Sequence, residues 1–160
     1  MKKTVLAILL CLLTLGAWAD EWSHKGSKWS TSTVEISVPS TLKVTQDSNG
    51  LLTLDNENLR VILTPLPSGL DFAAVEKLYV DALNKEFKGL TWGQPTTSQL
   101  GDTSIQSRQG HTTMDGVAMH VNLSLLSKES QRLSVMSVQI GGDKAAAALA
   151  GQVLSSARFK

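Results

Sequence analysis

The sequence predicts an α+β domain in which a central antiparallel β-sheet is flanked by two main α-helices. Three observations lead to this class. Segments in which apolar and polar residues alternate recur between residues 33 and 140 and end at turn-forming residues, as is typical of antiparallel strands. One stripe of helical periodicity interrupts these segments, and a second follows the last of them. The order strands, helix, strands, helix places the helices against a sheet.

The first 19 residues are predicted to be a secretory signal peptide. Lys2 and Lys3 precede an almost unbroken apolar run over residues 5–15, and Ala17-Trp18-Ala19 has small residues at the two positions that a signal peptidase reads. The run is shorter than the roughly 20 apolar residues that cross a bilayer. We therefore expect cleavage before Asp20 and no membrane-spanning segment in the mature chain.

Cleavage changes the charge and the redox chemistry of the chain. The full sequence has 15 basic and 14 acidic residues and a formal charge of +1. Loss of two lysines leaves 13 basic against 14 acidic groups and a charge of −1 over 141 residues. Such a balance argues against a nucleic-acid partner. The only cysteine, Cys11, leaves with the signal, and Ile8-Leu9-Leu10 before it lacks the small residue expected for lipid attachment.

Residues 20–32 are predicted to be a polar lead-in to a single α+β domain of residues 33–160. Trp22 and Trp29 are the only large apolar groups of this lead-in. Two interpretations are open: the indoles pin the lead-in against the domain, or they form a motif that binds a partner. Pinning is the favoured interpretation because aromatic rings bury a large area.

The first half of the domain is predicted to contain a strand followed by hairpins of the antiparallel sheet. Val34, Ile36 and Val38 alternate with polar residues and predict a strand over 33–38. Three further strands lie between clusters of turn formers: 42–44, 51–54 and 59–63. The turn at 55–58 superficially resembles a calcium loop, but it lacks the spaced ligands and the distant glutamate of one.

A helix is predicted over residues 71–88, ended by Gly89. Its apolar residues recur at spacings of three and four and form one stripe that faces the core: Phe72, Val75, Leu78, Tyr79, Ala82, Leu83 and Phe87. The helix also carries carboxylates at steps of five residues. Successive carboxylates are rotated by about 140° around the axis, so they cannot form one acid/base site.

The second half is predicted to contain three long strands and a terminal helix. The strands lie near 103–112, 116–126 and 132–140. Asp115-Gly116 is a strong hairpin signal because both central residues must accept positive φ. Apolar residues occur on both faces of the last strand, which indicates a position inside the sheet. Asp143 is expected to cap a helix over 144–158.

In their order these elements resemble a known family. The resemblance rests on Val34-Glu35-Ile36-Ser37-Val38-Pro39, Leu59-Arg60-Val61-Ile62-Leu63, the helix 71–88, the strands around Asp115-Gly116 and the helix after Gly141-Gly142-Asp143. Over about 33–159 the chain is similar to the DcrB-like periplasmic proteins of the PsbP-like superfamily. The resemblance implies a central antiparallel sheet flanked by helices, protein-binding or accessory roles, and no shared enzyme activity. Members can carry a lipid-attachment cysteine at the end of the signal, where this chain has Ala19-Asp20.

No catalytic, cofactor-binding or metal-binding residues are predicted. The sequence contains no Gly-x-Ser-x-Gly elbow and no glycine loop of the phosphate-binding or dinucleotide-binding kind. If Asp115 and Gly116 are the central residues of a tight hairpin, His111 lies opposite His120, with their Cβ atoms about 4.5–5.5 Å apart. Two ligands are half of a usual zinc site, and His24 could join them only if the lead-in folds back.

Two functions follow from these observations. The preferred prediction is a non-enzymatic periplasmic accessory or protein-binding module of the bacterial envelope, with an envelope protein as its partner and no cofactor. The alternative is a small-ligand or metal-binding periplasmic protein. That protein would use a crevice between sheet and helix, with Trp92, His111 and His120.

Overall fold

The computed structural model describes residues 21–48 and 50–160. The predicted signal peptide of residues 1–19, with Cys11 and the cleavage point before Asp20, lies outside the described residues, as does Asn49 in the predicted turn at 47–50. Neither helix of the described part has both the length and the apolar character that a membrane span requires.

The elements of the described residues follow in chain order. The strands are β1 (Ser23–Lys25), β2 (Lys28–Ser30), β3 (Val34–Ser37), β4 (Lys43–Gln46), β5 (Leu52–Asp55), β6 (Leu59–Leu66), β7 (Thr91–Trp92), β8 (Thr96–Leu100), β9 (Thr103–Met114), β10 (Val117–Lys128), β11 (Gln131–Ile140) and β12 (Arg158–Phe159). Helix α1 (Phe72–Glu86) lies between β6 and β7, and helix α2 (Lys144–Ser156) lies between β11 and β12.

The prediction of a single central sheet flanked by two helices is wrong. The described part of the protein is mostly β, with 50% of its residues in strands and 20% in helices, and its strands form two sheets. The large sheet has the order β4-β5-β6-β11-β10-β9-β7, with β8 also paired to β9, and the small sheet has the order β1-β2-β3-β12. The small sheet was not predicted because β1, β2 and β12 have only two or three residues each. Such strands are too short to show an alternation of apolar and polar residues.

The hairpin of β9 and β10 has the register expected for a tight turn at Asp115-Gly116. Asp115 and Gly116 turn with φ of 51° and 77°, and His111 pairs with His120. Strand β11 lies between β6 and β10, which confirms its predicted place inside the sheet. All strand pairings within the described residues are antiparallel.

Each face of the large sheet has its own hydrophobic core. One core contains the buried side of α1, where Val75, Tyr79 and Leu83 lie against the sheet. The other joins the sheet to α2 and to the small sheet, and it contains Val153 of α2 and Ile36 of β3. The sheet is therefore covered on both faces, by different elements.

Both helices begin and end within two residues of the predicted limits.

The predicted lead-in contributes β1 and β2 to the small sheet. Trp22 and Trp29 are only 6% and 8% exposed and belong to the core between the two sheets. The indole Nε1 of Trp22 also donates a hydrogen bond of 3.0 Å to the carbonyl oxygen of Gly50. The expectation that these indoles pin the segment against the domain is confirmed.

Candidate functional site

The face of the large sheet that meets α2 changes from apolar to polar between β6 and β9. Residues that are directly opposed in an antiparallel sheet share a face, so the register defines rows of side chains. Across β11, β10 and β9 the rows are Gln139-His120-His111, Ser137-Asn122-Gln109 and Val135-Ser124-Ser107. On β6 the same rows end at Leu59, Val61 and Leu63, which are part of the core.

A cleft of about 320 Å³ lies between the polar part of this face and α2. The polar side chains that line it from the sheet are Gln109, His120, Asn122, Ser124, Ser137 and Gln139. The helix contributes Ala147, Ala150, Gly151 and Leu154. The volume falls at the lower end of the ~300–1,000 Å³ typical of small-molecule sites. The residues that line this cleft include no Asp, Glu, Lys or Arg.

The cleft stays open because α2 is held at its ends and has small residues in its middle. At the first turn, Gln139 Nε2 donates to the carbonyl oxygen of Asp143, at 2.6 Å. At the last turn, the backbone N–H of Ser37 donates to Ser156 Oγ, at 3.0 Å. Between these ties, a Cβ atom added at Gly151 would meet no heavy atom within 4 Å. The helix is therefore fixed over the sheet without filling the space beneath its middle.

The floor of the cleft contains one satisfied and one unsatisfied polar group. Ser107 Oγ and Ser124 Oγ lie 2.7 Å apart and join β9 to β10 by a hydrogen bond. Asn122 Oδ1 is buried and accepts no hydrogen bond from the described residues. A buried acceptor without a donor costs about 1–3 kcal/mol.

The two cross-strand histidines lie side by side, but the structure does not gather a metal site around them. Both are exposed, and His120 lines the cleft whereas His111 does not. His24 belongs to β1 of the small sheet, where its ring stacks on Trp29 with centroids 4.5 Å apart. The residues that the structure describes contain no group of three or more His, Cys, Asp or Glu placed to hold a metal ion.

The prediction that Trp92 shares a crevice with the two histidines is wrong. Strand β7 pairs Thr91 with His111 and Trp92 with Gly110, and successive residues of a strand point to opposite faces. The indole of Trp92 therefore lies on the α1 side of the sheet, where its Nε1 donates to Asn84 Oδ1 at 2.9 Å.

Several residues of the cleft were not predicted from the sequence, although part of the signal was present. The turn at Asp115-Gly116 aligns Gln109 with Asn122, and the turn at Glu129-Ser130 aligns Asn122 with Ser137. The two hairpins together specify a polar row across three strands. The missing information was the position of α2, which turns this row into one wall of a cleft.

The fold is similar to those of proteins whose structures have been solved. No protein-family model matches the chain, and no curated protein sequence matches it significantly. Among solved structures, the cyanobacterial PsbP (CyanoP) of Synechocystis sp. PCC 6803 is similar, with a TM-score of 0.60 and 14% identity over 91% of this chain and 96% of that one. LpqN, involved in cell envelope biogenesis of Mycobacterium tuberculosis, has a TM-score of 0.51 and 14% identity over 79% of this chain and 83% of its own.

A third similar structure is a protein from Bacteroides thetaiotaomicron VPI-5482. It has a TM-score of 0.55 and 10% identity over 79% of this chain and 45% of that one, so the similarity spans less than half of that protein. At such identities the likeness is one of fold. The chain has a PsbP-like fold, and the DcrB-like relationship stays a prediction.

Proposed function

We propose that this protein is an exported, non-enzymatic accessory module of the bacterial envelope that binds a protein partner in the periplasm. The observation that supports this best is the PsbP-like fold, which extends over 91% of the chain and 96% of cyanobacterial PsbP. LpqN has a similar fold and is involved in cell envelope biogenesis. The signal-peptide pattern of residues 1–19 and the resemblance to DcrB-like periplasmic proteins support export to the periplasm.

The polar groups of the cleft favour binding over catalysis. A serine nucleophile needs an adjacent general base. Ser124, which is 1% exposed, is hydrogen-bonded to the hydroxyl of Ser107 instead. The residues that line the cleft include no carboxylate, so the cleft itself offers no carboxylate pair for acid/base work.

Site-specific photocrosslinking in living cells tests the proposal. Leu78 and Val117 are the large apolar residues of the described chain that are most exposed, at 42% and 44%. The prediction that Leu78 faces the core is therefore wrong. Apolar groups on a surface are suited to contact a partner. A photoreactive amino acid at either position should capture a defined envelope protein. The same group at Lys25, an exposed position of β1, serves as the control. Failure of both apolar positions to yield any specific adduct in the envelope fraction would contradict the proposal.

The cleft supports a second candidate function, the binding of a small ligand. The specific observation is a cleft of about 320 Å³ whose sheet wall is formed mostly by polar, uncharged side chains. A ligand that binds only the native state at a concentration of 100 Kd would add about 2.7 kcal/mol to the free energy of unfolding. Thermal denaturation against a broad library should therefore reveal stabilising ligands. A library in which no compound raises Tm contradicts this function.

A further inference from the structure

We propose that the cleft between α2 and strands β9–β11 binds a neutral saccharide unit, an uncharged ring with several hydroxyl groups and an apolar face. The inference rests on the small-ligand function proposed for the cleft and names its ligand class. The chemistry of the lining, the pairing of the strands beneath it and the small residues of α2 each contribute to it.

The charges around the cleft argue against an ionic ligand. The residues that line it include no Lys or Arg to hold an anion and no Asp or Glu to hold a cation, and His120 is the one titratable residue among them. The N-terminus of α2 is occupied by its own cap, because Asp143 Oδ1 accepts from the N–H of Ala145 at 2.9 Å. A phosphate or carboxylate group would therefore enter the cleft without a compensating charge.

The hydrogen-bonding groups of the cleft suit hydroxyl groups. The amides of Gln109 and Asn122 and the hydroxyl of Ser137 each offer both donors and acceptors. A sugar hydroxyl also donates and accepts, so it can satisfy such groups in either direction. The hydrogen-bonding groups of Gln109, Ser137 and the amide of Asn122 therefore match the hydroxyl groups of a sugar better than a charged group.

The remaining walls favour a compact ring over a peptide. Val135, Ala150 and Leu154 form an apolar strip that can cover the C–H face of a sugar ring. Strands β10 and β11 are paired on both sides, so a peptide strand cannot add to the sheet at this point.

Two-dimensional NMR titration tests the inference, on protein expressed with its own N-terminal segment and purified from the envelope. The probes are glucose, maltose and N-acetylglucosamine, with inorganic phosphate and zinc as ionic comparisons. We expect the neutral sugars to shift the side-chain amide signals of Asn122 and Gln109 and the backbone signal of Gly151, and we expect phosphate and zinc to leave them unchanged. If no sugar shifts these signals, or if only phosphate or zinc does, the inference is wrong.

The most informative variant adds a side chain to α2 that fills the cleft. Gly151→Leu places a side chain in the open space and improves helix propensity, so it should weaken sugar binding on the order of tenfold or more without unfolding the protein. Ala148→Leu, at an exposed position of α2 that does not line the cleft, is the matched control and should leave the affinity unchanged. Equal binding by the Gly151→Leu and Ala148→Leu proteins would overturn the inference.

A second variant covers the case in which Gly151→Leu does not fold. Gln109 is exposed, so Gln109→Ala should fold and should weaken sugar binding by roughly 2- to 10-fold through the loss of one hydrogen-bonding amide. An unchanged affinity would count against the proposed contact. The library screen by thermal denaturation does not depend on sugars. A compound that raises Tm while no sugar shifts these NMR signals would overturn the saccharide inference and leave the small-ligand function standing.

Discussion

The two faces of the large sheet are covered to different degrees. On the α1 face, Tyr79 and Leu83 are 2% and 0% exposed, and the buried phenol of Tyr79 accepts a hydrogen bond of 2.8 Å from Ser134 Oγ. On the α2 face, the helix buries Ala146 and Val153 and leaves an open polar cleft next to them, with an unsatisfied Asn122 Oδ1. The α1 face is a closed core, in which Thr53 Oγ1 is also buried without a partner among the described residues, and the α2 face combines a core with a space that a ligand can fill.

Side-chain contacts on the α1 face also join α1 to the edge of the large sheet. Arg108 of β9 forms an ion pair of 2.6 Å with Glu76 of α1, and its Nε donates to the carbonyl oxygen of Gly93 at 3.0 Å. The guanidinium lies 5.8 Å from the centroid of the Trp92 ring. These contacts hold β7, β9 and α1 together. The α1 face is therefore closely packed and contributes mainly to stability. The α2 face has an open space in which a molecule could bind.

Truncation in the closed core should have the largest effect on stability. Leu83→Ala removes a fully buried side chain of α1 and should lower the free energy of unfolding by about 2–5 kcal/mol. Leu78→Ala, the same change at a 42% exposed position of the same helix, should alter it by less than about 0.5 kcal/mol. Urea denaturation followed by tryptophan fluorescence measures both. Similar losses in the two variants would contradict the closed packing of this face.

The sequence predicted the α1 face better than the α2 face, for a physical reason. The stripe that contains Val75, Tyr79 and Leu83 and the turn at Asp115-Gly116 are local signals, because a few neighbouring residues determine them. The small sheet depends on pairing between distant segments, such as Arg158 with Glu35. A strand of two or three residues has no visible period, so this pairing could not be predicted.

The same limit explains the part of the candidate site that was missed. The pairing of His111 with His120 follows from one hairpin turn and was expected. The place of Trp92 depends on β7, a two-residue strand, and the expectation there was wrong. The cleft itself depends on where α2 rests on the sheet. That position is set by tertiary contacts, such as the bond from the Ser37 N–H to Ser156, which no local pattern specifies.

The only tyrosine offers a pH test of how closed the α1 face is. Burial raises the pKa of Tyr79 from 10.0 to about 12, and the hydrogen bond from Ser134 only partly offsets this effect. Because the folded pKa is higher than the unfolded one, the stabilising contribution is complete below pH 10 and is lost as the pH rises from about 10 to about 12. The loss should be about 2–3 kcal/mol.

Tyrosinate absorbance and denaturation across this pH range check the expectation. In the native protein the absorbance change should centre near pH 12, and in urea it should centre near pH 10. Tyr79→Phe should remove the part of the stability loss that falls between these values. The variant should itself be about 1–3 kcal/mol less stable at neutral pH, because Ser134 loses its partner in the core. A native midpoint near 10 would show that water reaches the phenol.

One substitution made on both faces, Gly→Ala, should have effects of opposite sign, and the smaller of them is expected on the α2 face. At Gly110 of β9, an added Cβ would lie 3.0 Å from Cε3 of Trp92 and 3.2 Å from Cδ1 of Leu90. The Trp92 ring must then move, and we expect the free energy of unfolding to fall by about 1–3 kcal/mol. At Gly151 of α2 the added Cβ meets nothing within 4 Å, and the better helix propensity of alanine should raise the free energy of unfolding by up to ~1 kcal/mol.

Urea denaturation of the two alanine variants measures the difference, with the fluorescence of Trp92 as a local reporter for Gly110→Ala. A loss of stability at Gly151 would mean that α2 already fills the space beneath it, in which case the cleft is smaller than the structure shows. A gain at Gly110 would mean that Trp92 is not held against β9. Opposite signs are expected if β9 is packed tightly against Trp92 on one face of the sheet and α2 has room at Gly151 on the other.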